Sequence, residues 1–293
     1  MEPQKQDDIF FNEETTYEKA ATQAKPSSNY IEVKLDSLGK LGTPGILHFR
    51  NYSMEEALEL AGSVNDNYLE SLVNCLNKMV YEEFDCAELH QNDAEEIMVS
   101  LYGAFWGPLL RDKPYKKDES LDESEATEEQ IKANTLYADI PIKALKTVPI
   151  RTDFKEPIKV RCDKDEVRFI LPRLKHIINS NKFIKLKYLV EDRKWSDFKV
   201  LLEKSKKDTS LLNTVDPQKI IDYENFEKKK AFDFLKYFQA SLIVSINGET
   251  FETIEQKIEK LKEVGFTYWR HYQAFVDKEI VFGISPEVKF YSD

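Results

Sequence analysis

Two short stretches of alternating apolar residues, each followed by a long helical pattern, constrain the fold of this chain most. The first spans residues 30–35, where Ile31 and Val33 alternate with polar residues, and it resumes at Ile46 after a turn containing glycine and proline. The second spans residues 158–169, in which two alternating runs flank the polar sequence DKDE. Alternation with a period of two, interrupted by turn residues, predicts a β-hairpin in each half.

Helical periodicity follows each predicted hairpin. Ser53 and Glu56 have the spacing of a capping box, and three helices are predicted between there and Phe105. Residues 173–245 are predicted to be helical throughout, and further helices are predicted after the break at Asn247. The sequence therefore predicts an α+β fold that is mostly helical, with short antiparallel β-hairpins in each half.

Composition divides the chain into four parts. Residues 1–29 are polar and predict a flexible N-terminal arm, and residues 30–110 predict a domain of one hairpin and three helices. Residues 111–137 are rich in Asp and Glu, which favours an acidic linker loop. Residues 138–293 predict a second domain with a hairpin, helices and a closing strand at its end.

Charge and cysteine content exclude several classes of protein. The 53 acidic and 42 basic residues give a formal net charge of −11, which repels the phosphates of nucleic acids. No apolar stretch is long enough to cross a membrane, and the N-terminus lacks the pattern of a signal peptide. The three cysteines have no C-x-x-C spacing, so neither a disulfide framework nor a zinc site is expected. A cytoplasmic protein that binds neither nucleic acid nor membranes is predicted.

No motif for catalysis stands out. Phosphate-binding glycine loops are absent from the sequence, and no two of the four histidines have metal-ligand spacing. We therefore predict no catalytic residue, no metal and no cofactor. One alternative is an enzyme or adaptor with a site at Cys86 and His90, because residues four apart meet on one face of a helix. Asp85 disfavours this alternative, since a negative charge opposes formation of a thiolate.

Four aromatic residues are candidates for contact with other proteins. Phe10 and Phe11 form an apolar cluster with Ile9 in the N-terminal arm, and Trp106 and Trp269 are the other two. Trp269 lies in an aromatic-rich segment near the C-terminus, for which packing in a core is the alternative to an exposed contact surface.

The middle of the chain carries the most specific resemblance to a known family. Its segment FKEPIKVRCDKDEVRFILPRL has a Phe-x-Glu-Pro strand, a short turn and a Phe-x-Leu-Pro exit, at Phe154, Glu156, Pro157, Phe169, Leu171 and Pro172. Together with DSLGKLGTPGILHFRNYSMEEALELAG and INGETFETIEQKIEKLKEV, this segment resembles the baseplate hub family of T-even-type contractile-tailed bacteriophages.

The resemblance implies a baseplate hub component or a hub-assembly factor that binds hub proteins. Such a protein works in the host cytoplasm during assembly or in the tail baseplate of the virion, and its oligomeric state stays open. Many members of the family carry cysteine pairs suggestive of a zinc ribbon, whereas the acidic segment from Asp118 to Glu129 has none. A metal is therefore not implied for this chain.

Overall fold

The computed structural model describes residues 29–63, 67–116, 126–162, 164–205, 216–264 and 267–284, and its α+β class confirms the prediction. The helices of these ranges are α1 (Met54–Gly62), α2 (Tyr68–Met79), α3 (Gln91–Trp106), α4 (Glu128–Asn134), α5 (Leu174–Lys187), α6 (Leu189–Ser205), α7 (Pro217–Ser241), α8 (Ile254–Val264) and α9 (Thr267–Glu279). The strands are β1 (Tyr30–Lys34), β2 (Ile46–Arg50), β3 (Leu109–Lys116), β4 (Thr135–Pro141), β5 (Thr147–Val148), β6 (Ile158–Cys162), β7 (Asp165–Phe169), β8 (Ile243–Ile246) and β9 (Gly283–Ile284).

The first predicted hairpin is confirmed. Strands β1 and β2 pair antiparallel, with Tyr30 opposite Arg50 and Lys34 opposite Ile46. Because alternate side chains of a strand share a face, this hairpin buries one face against α2 and α3. The resulting N-terminal core contains Val33, Leu35, Leu47, Phe49, Leu72, Val73, Cys75, Leu76, Met79, Cys86, Leu89, Ala94, Ile97 and Leu101, with Leu174 and Ile178 from α5.

The second predicted hairpin is also confirmed, but a third strand joins it. Strands β6 and β7 pair antiparallel, and β8 pairs with the other edge of β7. The prediction of helix throughout residues 173–245 is therefore wrong at its end, because α7 stops at Ser241. Ile243 and Ile246 are both buried in the sheet, and a short run of β-branched residues fits a pleated surface better than a helix.

Helices α7, α8 and α9 cover the three-stranded sheet. Their apolar faces and the sheet form the C-terminal core, which includes Phe154, Ile158, Val160, Val167, Phe169, Leu171, Ala240, Leu242, Ile243, Ile246, Ile254, Leu261, Tyr268, Tyr272, Ile280 and Phe282. Leu41, from the loop of the first hairpin, is buried in this core as well. The closing strand predicted near the C-terminus lies outside the described residues.

The prediction of a loop across residues 111–137 is wrong at both ends of that range. Strand β3 begins before it, and β4 pairs antiparallel with β3 so that Leu109 lies opposite Pro141. Helix α4 begins with a capping box, in which the Thr127 hydroxyl accepts from the backbone N–H of Gln130. These local signals outweigh the acidic composition. The acid-rich residues 117–125 and the predicted arm at 1–28 lie outside the described residues.

Buried polar contacts join the two halves. The guanidinium of Arg173 donates to Glu156 at 2.7 Å and to the carbonyl oxygen of Leu41 at 2.7 Å. On the other side of the junction, the Asn92 amide donates to the carbonyl oxygen of Phe282 at 2.7 Å. We call these contacts the polar seam. Beside it, within the N-terminal half, the Asp93 carboxylate accepts from the backbone N–H of Ser37.

Candidate protein-contact site

Trp106 is the last residue of α3 and is 63% exposed. The chain leaves the helix at Gly107, whose φ of 107° is a conformation that residues with a Cβ rarely adopt. Because the helix ends there and β3 leads away, no following turn covers the indole. An exposed tryptophan at a helix end is the result.

Tyr52 holds the indole in place from the neighbouring loop. The Trp106 indole N–H donates to the Tyr52 hydroxyl, and the two rings lie 6.5 Å apart between centroids. Tyr52 also packs edge-on against Phe105 at 5.3 Å. Tyr52 was not among the residues predicted from the sequence. Its position one residue before the capping serine Ser53, and so beside the start of α1, is the feature that could have indicated it.

Two apolar cavities open beside this pair of rings. The first, of about 210 Å³, lies between α1, α2 and α3, and the second, of about 230 Å³, lies between α3 and β3. Each is smaller than the roughly 300 Å³ at which small-molecule pockets begin, so each suits a side chain better than a whole ligand. We call this surface the Trp106 groove and define it by Tyr52, Leu60, Met79, Met98, Leu101 and Trp106.

Two acidic residues of α1, the helix that lines the first cavity through Ala57 and Leu60, are paired with basic side chains of the chain. Helix α1 carries Glu56, whose pKa is lowered to about 2, chiefly because the Arg50 guanidinium donates to its carboxylate. Glu59 on the same helix pairs with Lys78 at 3.0 Å. Arg111 contributes to the wall of the second cavity.

Helix α1 also exposes apolar side chains to solvent. Its residues Met54 and Leu58 lie one turn apart and are both exposed. Exposed large apolar residues that occur together mark sites of contact with other proteins more often than single ones do. The N-terminal half therefore presents an apolar surface with an aromatic residue at its edge.

The other three contact candidates do not join Trp106. Trp269 lies on α9 and packs against Tyr272 at 5.1 Å and Phe238 at 6.3 Å, which favours the core-packing alternative for this residue. Phe10 and Phe11 lie outside the described residues. The structure thus places one of the four predicted residues on an open apolar surface.

Cys86 and His90 are both buried, which disfavours a catalytic site between them. The Cys86 side chain is fully enclosed in the N-terminal core, and burial raises the pKa of its thiol to about 12. Burial also lowers the pKa of His90 to about 3. The imidazole of His90 accepts from the backbone N–H of Asn92 and so caps α3. Both residues have structural roles that account for their positions.

Metal and membrane sites were sought across the described ranges. No group of three His, Cys, Asp or Glu side chains in them is arranged to hold a metal ion. None of the helices in these ranges is both long enough and apolar enough to cross a membrane.

Comparisons with protein-family models, with curated proteins and with solved structures find no match for this chain. The family resemblance therefore depends on the residues quoted for it above.

Proposed function

We propose that this chain is a baseplate hub component or hub-assembly factor of a contractile-tailed bacteriophage and that it acts by binding other proteins, without catalysis. The observation that carries the binding role is the Trp106 groove, an open apolar surface beside a largely exposed tryptophan. The assignment to the phage tail is supported by the resemblance centred on residues 154–172.

The expected partner is a hub protein that presents a segment with apolar side chains. Two cavities of side-chain size call for two apolar anchors on the same segment. A basic partner is favoured, because the chain as a whole carries a net charge of −11. Tryptophan and tyrosine are enriched among the residues that dominate binding energy, which makes Tyr52 and Trp106 the expected anchors on this side.

The test is an affinity purification from phage-infected bacteria that contain a tagged copy of the chain. Mass spectrometry should recover hub proteins with the unmodified chain, and Trp106→Ser should reduce that recovery. A dominant interface residue contributes about 2 kcal/mol or more, so affinity should fall by about 30-fold or more. Leu186→Ser is the matched control, since Leu186 is an apolar residue on α5 that is 76% exposed and does not line the groove.

Mass spectrometry of purified phage particles distinguishes a virion component from an assembly factor. A few copies of the chain in each particle would make it a structural baseplate component of the virion. Absence from particles, with hub proteins recovered from the lysate, would make it an assembly factor acting in the host cytoplasm. Recovery of no tail protein from either sample would refute the phage assignment, and equal recovery with Trp106→Ser would refute the role of the groove.

A further inference from the structure

A thiol and an imidazole that are distant in sequence meet on the C-terminal half. Cys162 is the last residue of β6, and its sulfur lies 3.2 Å from Nδ1 of His271 on α9, within hydrogen-bond distance. Helix α9 packs against β6, and the Tyr268 hydroxyl donates to the carbonyl oxygen of Cys162 at 3.0 Å. The strand end and the helix are thus fixed relative to each other, and the pair is held by the fold.

Cys162 differs from the other two cysteines of the chain in its surroundings. Cys75 and Cys86 are enclosed in the N-terminal core, and burial raises the pKa of their thiols to about 11 and about 12. Cys162 is partly exposed, and His271 beside it is exposed. A reagent in solution can therefore reach Cys162 far more readily than the other two cysteines, which are 1% and 0% exposed.

We propose that Cys162 is a modification site at which His271 activates the thiol toward small-molecule disulfides. The imidazole nitrogen takes the proton of the thiol, which leaves a thiolate beside an imidazolium. The thiolate, the reactive form of cysteine, attacks one sulfur of the disulfide. The bond from Cys162 to that sulfur forms as the disulfide bond breaks; the proton on His271 passes to the departing thiolate when that thiolate is basic, or to water when an aromatic thiolate leaves. Cys162 is oxidised to a mixed disulfide, and half of the reagent is reduced to a thiol or thiolate.

The positions of the cysteines favour a mixed disulfide over an internal one. Cys75 and Cys86 belong to the N-terminal core, while Cys162 packs against the C-terminal core. A disulfide requires the two Cα atoms to lie within about 7 Å, and thiols enclosed in the N-terminal core can approach Cys162 only if that core opens. The second sulfur must therefore come from outside the chain. This inference does not depend on the proposed function.

The test uses the purified full chain and an aromatic disulfide whose released thiolate is coloured. At pH 7, one equivalent of thiol should react about tenfold faster than a simple free thiol, as expected for a cysteine beside an imidazole. Peptide mass spectrometry should place the label on Cys162, and Cys162→Ser should abolish the fast reaction. His271→Gln should slow it by about tenfold. Arg270→Gln is the matched control, because it removes a neighbouring exposed charge on α9 and leaves the imidazole in place.

Three results would overturn the proposal. These are a rate no faster than that of the free thiol, a fast label on Cys75 or Cys86, and equal rates for His271→Gln and Arg270→Gln. Circular dichroism establishes that each variant is folded before its rate is measured. His271→Asn serves as a second variant if His271→Gln alters folding. Whether Cys162 reacts faster than a simple free thiol is decided on the unmodified chain and needs neither variant.

Discussion

Two tryptophans, one in each half of the molecule, have opposite environments although both were contact candidates. Trp106 ends α3 and stays open to solvent, whereas Trp269 lies near the start of α9 and faces the C-terminal core. The difference comes from the next part of the chain. Gly107 directs the backbone away from Trp106, while α9 continues along the sheet and keeps Trp269 against it.

The two environments differ in how much aromatic surface is available to a partner. In the C-terminal half, Trp269 packs against Phe169, Phe238 and Tyr272, so its apolar area already contributes to folding. In the N-terminal half, Trp106 contacts Tyr52 and leaves most of its ring in water. A sequence segment rich in aromatic residues therefore does not by itself indicate a contact surface. In this chain the exposed tryptophan is the one at the end of its helix.

The first prediction tests whether the two halves are one folding unit, and its expected effect is the largest. Arg173→Met should lower the free energy of unfolding by about 3–5 kcal/mol, because it leaves the Glu156 carboxylate without its buried partner. It also removes the donors to the carbonyl oxygens of Leu41 and Leu171. Urea denaturation followed by circular dichroism measures the change.

Arg193→Met is the control for the polar seam, since Arg193 is an exposed arginine on α6 and its replacement should cost under about 0.5 kcal/mol. A single transition that shifts as a whole in Arg173→Met supports coupling of the halves. Two separate transitions, of which one alone shifts, would contradict it and would mean that each half has its own stability.

The second prediction separates the two tryptophans directly. Trp269→Ala should lower the free energy of unfolding by about 2–4 kcal/mol, somewhat less than for a fully buried tryptophan because Trp269 is only partly buried. Trp106→Ala should cost under about 1 kcal/mol, since its ring is largely in water. Denaturation curves of the two variants, measured side by side, check the order. Equal losses would remove the distinction between a packing tryptophan and a contact tryptophan.

The sequence predicted the local elements of this fold better than their assembly. Alternation identified both hairpins, and the spacing of Ser53 and Glu56 identified the start of α1. The third strand was missed because Ile243 also continues the helical apolar pattern of α7, and only pairing with β7 distinguishes the two. The acidic composition of residues 111–137 led to the wrong prediction of a loop at both ends of that range, where β3 and β4 pair with each other.

The candidate site was predictable only in part. Trp106 was selected from the sequence, but the cavities beside it are formed by α1, α2, α3 and β3, whose arrangement no local pattern encodes. The Cys162–His271 pair could not have been found from spacing, because 109 positions separate the two residues. A contact between distant segments depends on the packing of α9 against β6, which is a property of the assembled core.

The third prediction concerns Asp93, which lies on the same helix as Trp106 but is a charged residue type in a buried position. Trp106 is an apolar side chain in water, whereas Asp93 is a fully buried carboxylate with one oxygen unpartnered within the described residues. Burial raises the pKa of Asp93 to about 6 and that of Glu96 to about 7. The folded chain therefore binds these protons more tightly than the unfolded chain, in which such groups titrate near pH 4.

The sign of the effect follows from proton linkage. Between about pH 4 and pH 7 the unfolded chain binds fewer protons at these carboxyls, so their contribution to stability is lost as the pH rises. His90 and His176 act in the opposite direction, since burial lowers the pKa of each to about 3 and their contribution is lost as the pH falls below about 6.5. The two effects oppose each other in acid, and the carboxyl effect dominates above about pH 6.5.

Asp93→Asn should therefore raise the free energy of unfolding at pH 8 by about 1–3 kcal/mol, because an amide needs no proton to remain neutral in the core. The gain should shrink toward zero at pH 4, where the native carboxyl is already protonated. Thermal and urea unfolding at both pH values measure it, with the exposed Asp197→Asn as the control that should show no such gain. A loss of stability at pH 8 would mean that the carboxylate has a partner whose attraction exceeds the cost of burial. Unchanged partner binding by Asp93→Asn would show that the buried carboxylate of Asp93 and the exposed ring of Trp106 act independently, although both lie on α3.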